Sequence, residues 1–152
     1  MKHIGTLLSA AVMGIVISTT ASAQVKPEQL VKQRQAAMTL QGKYFGPLGA
    51  MAQGKAPYDA AVIARNAAFL DVLDKMPWDG FAASTKGVKS AALPAVFTDT
   101  AKFKEAQDRL QSEVSKLVAV GKSGDEAAVK AQLGAVGKAC GGCHDNFREK
   151  QQ

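Results

Sequence analysis

Near the end of the chain, Val129, Leu133, Val136, Cys140, His144 and Phe147 recur at steps of three and four residues, the spacing of one side of an α-helix. Whatever fold forms must therefore set a helix against a core with Cys140, Cys143 and His144 on or beside its apolar stripe. Three earlier segments repeat the pattern. Leu30, Val31, Arg34, Met38, Phe45 and Leu48 follow Pro27, a residue suited to a first helical position, and predict a helix over 27–52. After Gly54 and Pro57, the residues Val62, Ile63, Asn66, Phe69, Leu70, Leu73 and Met76 mark a second face that stops at Pro77. Phe103, Ala106, Leu110, Val114, Leu117 and Val118 mark a third, broken by Gly121 and Gly124. Ser123 with Glu126 three residues on predicts a capping box at the start of the last helix. Residues 77–98 contain Pro77, Gly80, Gly87 and Pro94 without periodicity, a connection long enough to need a task such as covering a bound group. Strand-type runs are missing. The expected fold is all-α, an antiparallel four-helix bundle enclosing a cofactor, in one domain over 24–152.

Residues 1–23 have the layout of a cleaved signal peptide. Lys2 and His3 precede an apolar stretch from Ile4 to Ile17, and Ala21-Ser22-Ala23 supplies small residues for cleavage. Export follows, with no membrane segment left after cleavage. Cleavage leaves 152 − 23 = 129 residues, enough for one core. It also removes Lys2, so 18 basic face 13 acidic side chains, a net charge of +5. The charges alternate in sign along the helices and form no basic block, which argues against nucleic-acid binding.

Cys140-Gly141-Gly142-Cys143-His144 is C-x-x-C-H, the attachment signature for one covalent haem c. On a helix, positions i, i+3 and i+4 share a face, so two thiols can bond the haem while the next side chain reaches its iron. The intervening glycines would leave room for the macrocycle. Other readings fit less well. A disulfide closing so small a loop adds little stability. A thioredoxin-like redox pair belongs beside a βαβ pattern. Zinc calls for four protein ligands, and the cleaved chain offers three.

His144 is the only histidine after residue 23, which excludes bis-histidine ligation within a monomer. The second axial position is then empty or filled by a thioether, a lysine or an external ligand. Met38, Met51 and Met76 are the candidate thioethers; Met38 sits on the core face of the first helix, whereas Met51 is near a helix end and Met76 abuts Pro77. Methionine otherwise fills core gaps. Arg34, one turn earlier on the same face, is either a partner for a haem propionate or a snorkelling surface arginine. Trp78 and Phe81 open the long connection and are candidates to pack on the haem, or simply on the core. No nucleophile with an acid/base pair is evident, so an enzyme acting on an organic substrate is not expected.

Lys26-Pro27-Glu28, Arg34-Gln35 with Met38, Gly54 to Ala60, Pro77-Trp78 with Phe81, and Cys140 to His144 followed by Phe147-Arg148 together resemble the class II cytochromes c, and within them the cytochrome c′ family. The resemblance spans essentially the whole chain after residue 23. It implies a periplasmic haem protein, a homodimer in many members, that binds nitric oxide and carbon monoxide and carries electrons or scavenges nitric oxide; its redox partner is not identified. It further implies Cys140 and Cys143 as thioether positions, His144 as proximal ligand, Arg34 and Gln35 beside the propionates, Arg148 near the proximal face, and Met38 at the distal position. The family divides there. In one reading the iron is five-coordinate and Met38 is an unligated gate; in the other, that of low-spin cytochrome c-556-type relatives, Met38 is the sixth ligand of an electron carrier.

Overall fold

The structure, a computed structural model, describes residues 25–150. The predicted signal peptide at 1–23 lies outside the described residues. Four long helices form: α1 (Pro27–Ala52), α2 (Ala60–Leu73), α4 (Thr100–Gly121) and α5 (Glu126–Phe147), with a single turn, α3 (Ala95–Thr98), before α4. In the ring they form, α1 packs on α2, α2 on α4, α4 on α5 and α5 back on α1, as an antiparallel four-helix bundle requires. Among the described residues the only β-type pairing is an isolated bridge between Ala92 and Arg148.

The helix ends follow from local chemistry. Pro27 opens α1 as the sequence predicts. At the other end Gly54 adopts φ 69°, while Gly54 N–H donates to the Met51 carbonyl and Lys55 N–H to that of Ala50. This pair of bonds closes the last turn, and the left-handed backbone it needs favours glycine. Asp59 Oδ1 caps α2 by accepting from Ala61 and Val62 N–H. The predicted capping box at Ser123 does not form. Asp125 is the cap of α5, accepting from Ala128 N–H, whereas the Ser123 hydroxyl donates to the Val120 carbonyl at the end of α4. Gly124, at φ 73°, turns the chain between the two, which moves the helix start past Ser123.

The bundle is packed at one end and hollow at the other. At the closed end Leu48, Ile63, Leu117, Val129 and Leu133 are almost wholly buried, each contributing about 1.5–3 kcal/mol by removal from water. There α2 and α4 approach closely: a Cβ at Gly121 would sit 3.5 Å from Ile63 Cγ2. At the other end the first half of α1, the end of α2, the first half of α4 and the end of α5 surround a cavity of about 620 Å³. The long connection walls this half. It contains two 3-10 turns, Trp78–Phe81 and Ala83–Thr85, then α3. Leu93 N–H donates to the Phe147 carbonyl and Glu149 N–H to that of Ala91, tying the connection to the chain just past the C-x-x-C-H motif.

Candidate functional site

One cavity is lined by Arg34, Gln35 and Met38 from α1, Trp78 and Phe81 from the connection, Cys140, Cys143 and His144 from α5, and Arg148 just beyond it, whereas the other candidate thioethers do not reach it, Met51 being buried in the core and Met76 exposed. The cavity size falls within the range of small-molecule and cofactor sites. Its walls also include Phe45, Leu70, Phe103, Leu110 and Val136, which the sequence marked only as helix faces. Phe103 joins the aromatic group. Its ring lies 4.8 Å from Phe81, 5.2 Å from Phe147 and 6.0 Å from Trp78, all tilted edge to face.

The motif is helical throughout, as its spacing requires, because α5 runs to Phe147. Both cysteines are free and half-buried. Burial pushes both thiols up, reinforced at Cys140 by the neighbouring Cys143, so they are neutral thiols at neutral pH. His144 moves the other way: burial foremost, with the Arg148 charge adding to it, lowers its pKa and favours the neutral imidazole that a metal requires. No three His, Cys, Asp or Glu side chains among the described residues converge as a metal cluster. The two thiols and the imidazole are thus spread along the cavity wall, unlike a zinc site, and suit a group broad enough to reach all three.

The glycines of the motif stand outside the lining of the cavity. Gly142 faces a separate surface groove beside Lys138 and Arg109, Gly141 is not part of the cavity wall, and a Cβ at either would meet nothing within 4 Å. The space for a large group is the cavity between the four helices and the connection.

Arg34 is 4% exposed, which rules out the snorkelling reading. Its guanidinium donates to the Gly80 carbonyl at 2.5 Å and to Ser90 Oγ at 2.7 Å, and lies 4.3 Å from the centre of the Phe81 ring. It therefore ties the connection to α1 at two points, Gly80 within the first 3-10 turn and Ser90 beyond the second. Gly80 is required for this contact, since a Cβ there would lie 2.5 Å from Arg34 Cβ and 2.8 Å from the Leu30 carbonyl. Burial lowers the Arg34 pKa, and no described carboxylate pairs with it. A buried cation without a counter-charge at the edge of the cavity fits a ligand bearing carboxylates, as haem does.

A further residue of the wall had no signal in the sequence. Asp74, just past α2, is 1% exposed, and neither carboxyl oxygen has a hydrogen-bond partner. The donors nearby are committed to backbone: Trp78 Nε1 and Gln111 Nε2 to the Asp74 carbonyl, Gln41 Nε2 to that of Leu73. Burial pushes the carboxyl up to about 7, with Lys75 opposing and Asp71 adding to the rise. A carboxyl raised on folding binds more protons folded than unfolded between its two pKa values, so stability is greatest below about pH 4 and is lost as pH rises toward 7. Chemical unfolding of the protein and of Asp74→Asn from pH 4 to pH 8 should show the native chain losing on the order of 3 kcal/mol relative to the variant. Parallel pH profiles would contradict the buried, unpaired carboxyl.

The comparisons with known proteins agree with this geometry. The family model described as Cytochrome C' matches residues 29–148. Cytochrome c′ of Rubrivivax gelatinosus is 49% identical over 126 residues, covering 82% of this chain and 98% of that protein. Its crystal structure superposes with a TM-score of 0.77 at 48% identity, over 82% of this chain and 98% of that one. Cytochrome c-556 of Rhodopseudomonas palustris is 35% identical over 95% of this chain and 99% of its own length. A nitric oxide complex of a cytochrome c′ mutant from Alcaligenes xylosoxidans has a TM-score of 0.77 at 40% identity, over 83% of this chain and 98% of that one. With the bundle, the cavity and the paired thiols beside a histidine in place for haem c, the chain belongs to the cytochrome c′ family.

Proposed function

We propose that the protein is exported to the periplasm, holds one haem c through Cys140, Cys143 and His144, and leaves the opposite axial position without a protein ligand. That position binds nitric oxide and carbon monoxide, and the protein also exchanges electrons with a redox partner protein. The observation that carries this reading is the meeting of both free thiols, a neutral imidazole and an uncompensated buried arginine on one largely apolar cavity. The haem would supply a one-electron couple and a coordination site. The chain's own residues do the rest. Cys140 and Cys143 anchor the group, the His144 imidazole offers a lone pair, and Arg34 gives a propionate a charged donor without having to be ordered first. Gln35 and Arg148 stand at the same wall as further polar contacts, and Trp78 and Phe81 provide flat apolar surface. Met38, with Phe45 and Leu70, presents apolar bulk that admits a small neutral gas more readily than water or anions. Relatives solved as nitric oxide and carbon monoxide complexes support the gas-binding role.

A second reading is favoured by the cytochrome c-556 relative: Met38, which reaches the same cavity as His144, acts as sixth ligand of a low-spin electron carrier. An apolar face also supports a homodimer. Leu40 on α1, Phe69 and Val72 on α2, and Met76 just beyond it are 40–54% exposed, and Phe69 lies against Tyr44 at 4.8 Å between ring centres. Exposed apolar clusters of this kind mark self-association surfaces.

Three measurements test these statements. Protein matured with a haem-attachment system should keep its colour on the polypeptide through acid-acetone extraction, and lose it when Cys140 and Cys143 are both changed to Ala; colour that extracts fully refutes covalent haem. The ferric protein at neutral pH should give a high-spin electron paramagnetic resonance spectrum, and Met38→Ala should speed carbon monoxide binding. A low-spin spectrum that turns high-spin in Met38→Leu would assign Met38 as the ligand instead. Sedimentation should give a dimer that Phe69→Lys converts to monomer, and a monomeric wild-type chain would remove the dimer from the proposal.

A further inference from the structure

The haem site leaves one buried ionisable group without a role. We propose that Asp74 is a redox-linked proton site, its carboxyl taking up one proton when the bound haem is reduced and releasing it on oxidation. This rests on the haem-binding reading above.

The geometry carries the argument. Both carboxyl oxygens are sealed from solvent without a hydrogen-bond donor, while Trp78, Gln111 and Gln41 each donate to a backbone carbonyl beside them. Ionisation at this position is compensated by nothing fixed. Around Asp74, α1 presents Gln41, the 3-10 turn Trp78 and α4 Gln111, all uncharged. Asp79 of that turn is exposed. On its own segment Lys75 is bound to Asp71 at 2.9 Å on the surface, so the two largely cancel. The remaining ionisable groups of the cavity wall are Arg34, whose guanidinium is held at Gly80 and Ser90, and Arg148, Cys140, Cys143 and His144.

Asp74 belongs to the same wall as the two cysteines and His144. A group carrying one more positive charge when oxidised than when reduced stabilises a neighbouring carboxylate in the oxidised state only, and the low dielectric of a closed apolar wall preserves that difference. The balance is one electron and one proton. The electron comes from an external one-electron donor and enters the haem; the proton comes from solvent and forms an O–H bond at an Asp74 carboxyl oxygen. Oxidation returns both. The carboxyl value of about 7 places this exchange at neutral pH.

Redox titration of the holoprotein from pH 5 to pH 9 tests it. The wild-type potential should fall with rising pH around neutrality, by at most about 59 mV per pH unit, the value for one proton per electron. Asp74→Asn should abolish that slope and Asp74→Glu should keep it. Redox-difference infrared spectra should show a protonated-carboxyl C=O band gained on reduction in the wild type, shifted in Asp74→Glu and absent in Asp74→Asn. If Asp74→Asn fails to fold, the wild-type band and its shift in Asp74→Glu still support the assignment. A wild-type potential independent of pH between 6 and 8, or a slope and band unchanged in Asp74→Asn, overturns it.

Discussion

The tight packing at the closed end of the bundle is what the rest of the molecule depends on. Four helices stay together around a void only if their contact elsewhere makes up for the dispersion and burial forfeited there. Leu48, Ile63, Leu117, Val129 and Leu133 supply that contact, and the near approach at Gly121 shows how little space remains between α2 and α4. The other halves of the same helices are then free to line a cavity without collapsing into it. Antiparallel order makes the division clean, since the start of α1 and the end of α5 lie at the same end of the bundle. Arg34 and Met38 thereby come opposite a motif more than a hundred residues away.

Polar groups buried at the hollow end divide into two kinds. Arg34 is held by a carbonyl, a hydroxyl and an aromatic face, so its side chain is positioned before any ligand arrives, while its charge stays uncompensated. Asp74 is the reverse, a carboxyl buried with no donor at all. Both arrangements cost folding free energy in an apolar setting. Groups kept in that condition are common where binding or charge transfer is the task, and these two share a wall with the haem-attachment motif.

Much of the fold was legible because its elements are long and periodic. The predicted first helix, 27–52, coincides with α1, and C-x-x-C-H lies within α5 as its spacing required. The long connection does cover the cavity, though it is built from 3-10 turns and α3, which a search for α periodicity passes over. The cap of α5 was misplaced by two residues because Ser123 and Asp125 are both good capping residues, and only the turn at Gly124 selects between them. That the motif glycines stand outside the cavity lining was not legible, because spacing does not say which way the intervening positions of a helix turn once it is packed.

By itself the sequence determined the helical class, the C-x-x-C-H pattern of Cys140, Cys143 and His144 on one helix, and the absence of a second histidine after residue 23, because these depend on residue type and separation along the chain. Only the tertiary structure decided that Arg34 is buried and pins the connection, that Phe103 joins the aromatic wall, and that Asp74 is a carboxyl without a partner. Each of these depends on which side chains of distant segments meet. Just past the end of α2 an aspartate is ordinarily solvated, and it is buried here because α1, α4 and the Trp78 turn close over it, their side chains donating to the backbone carbonyls and not to its carboxyl.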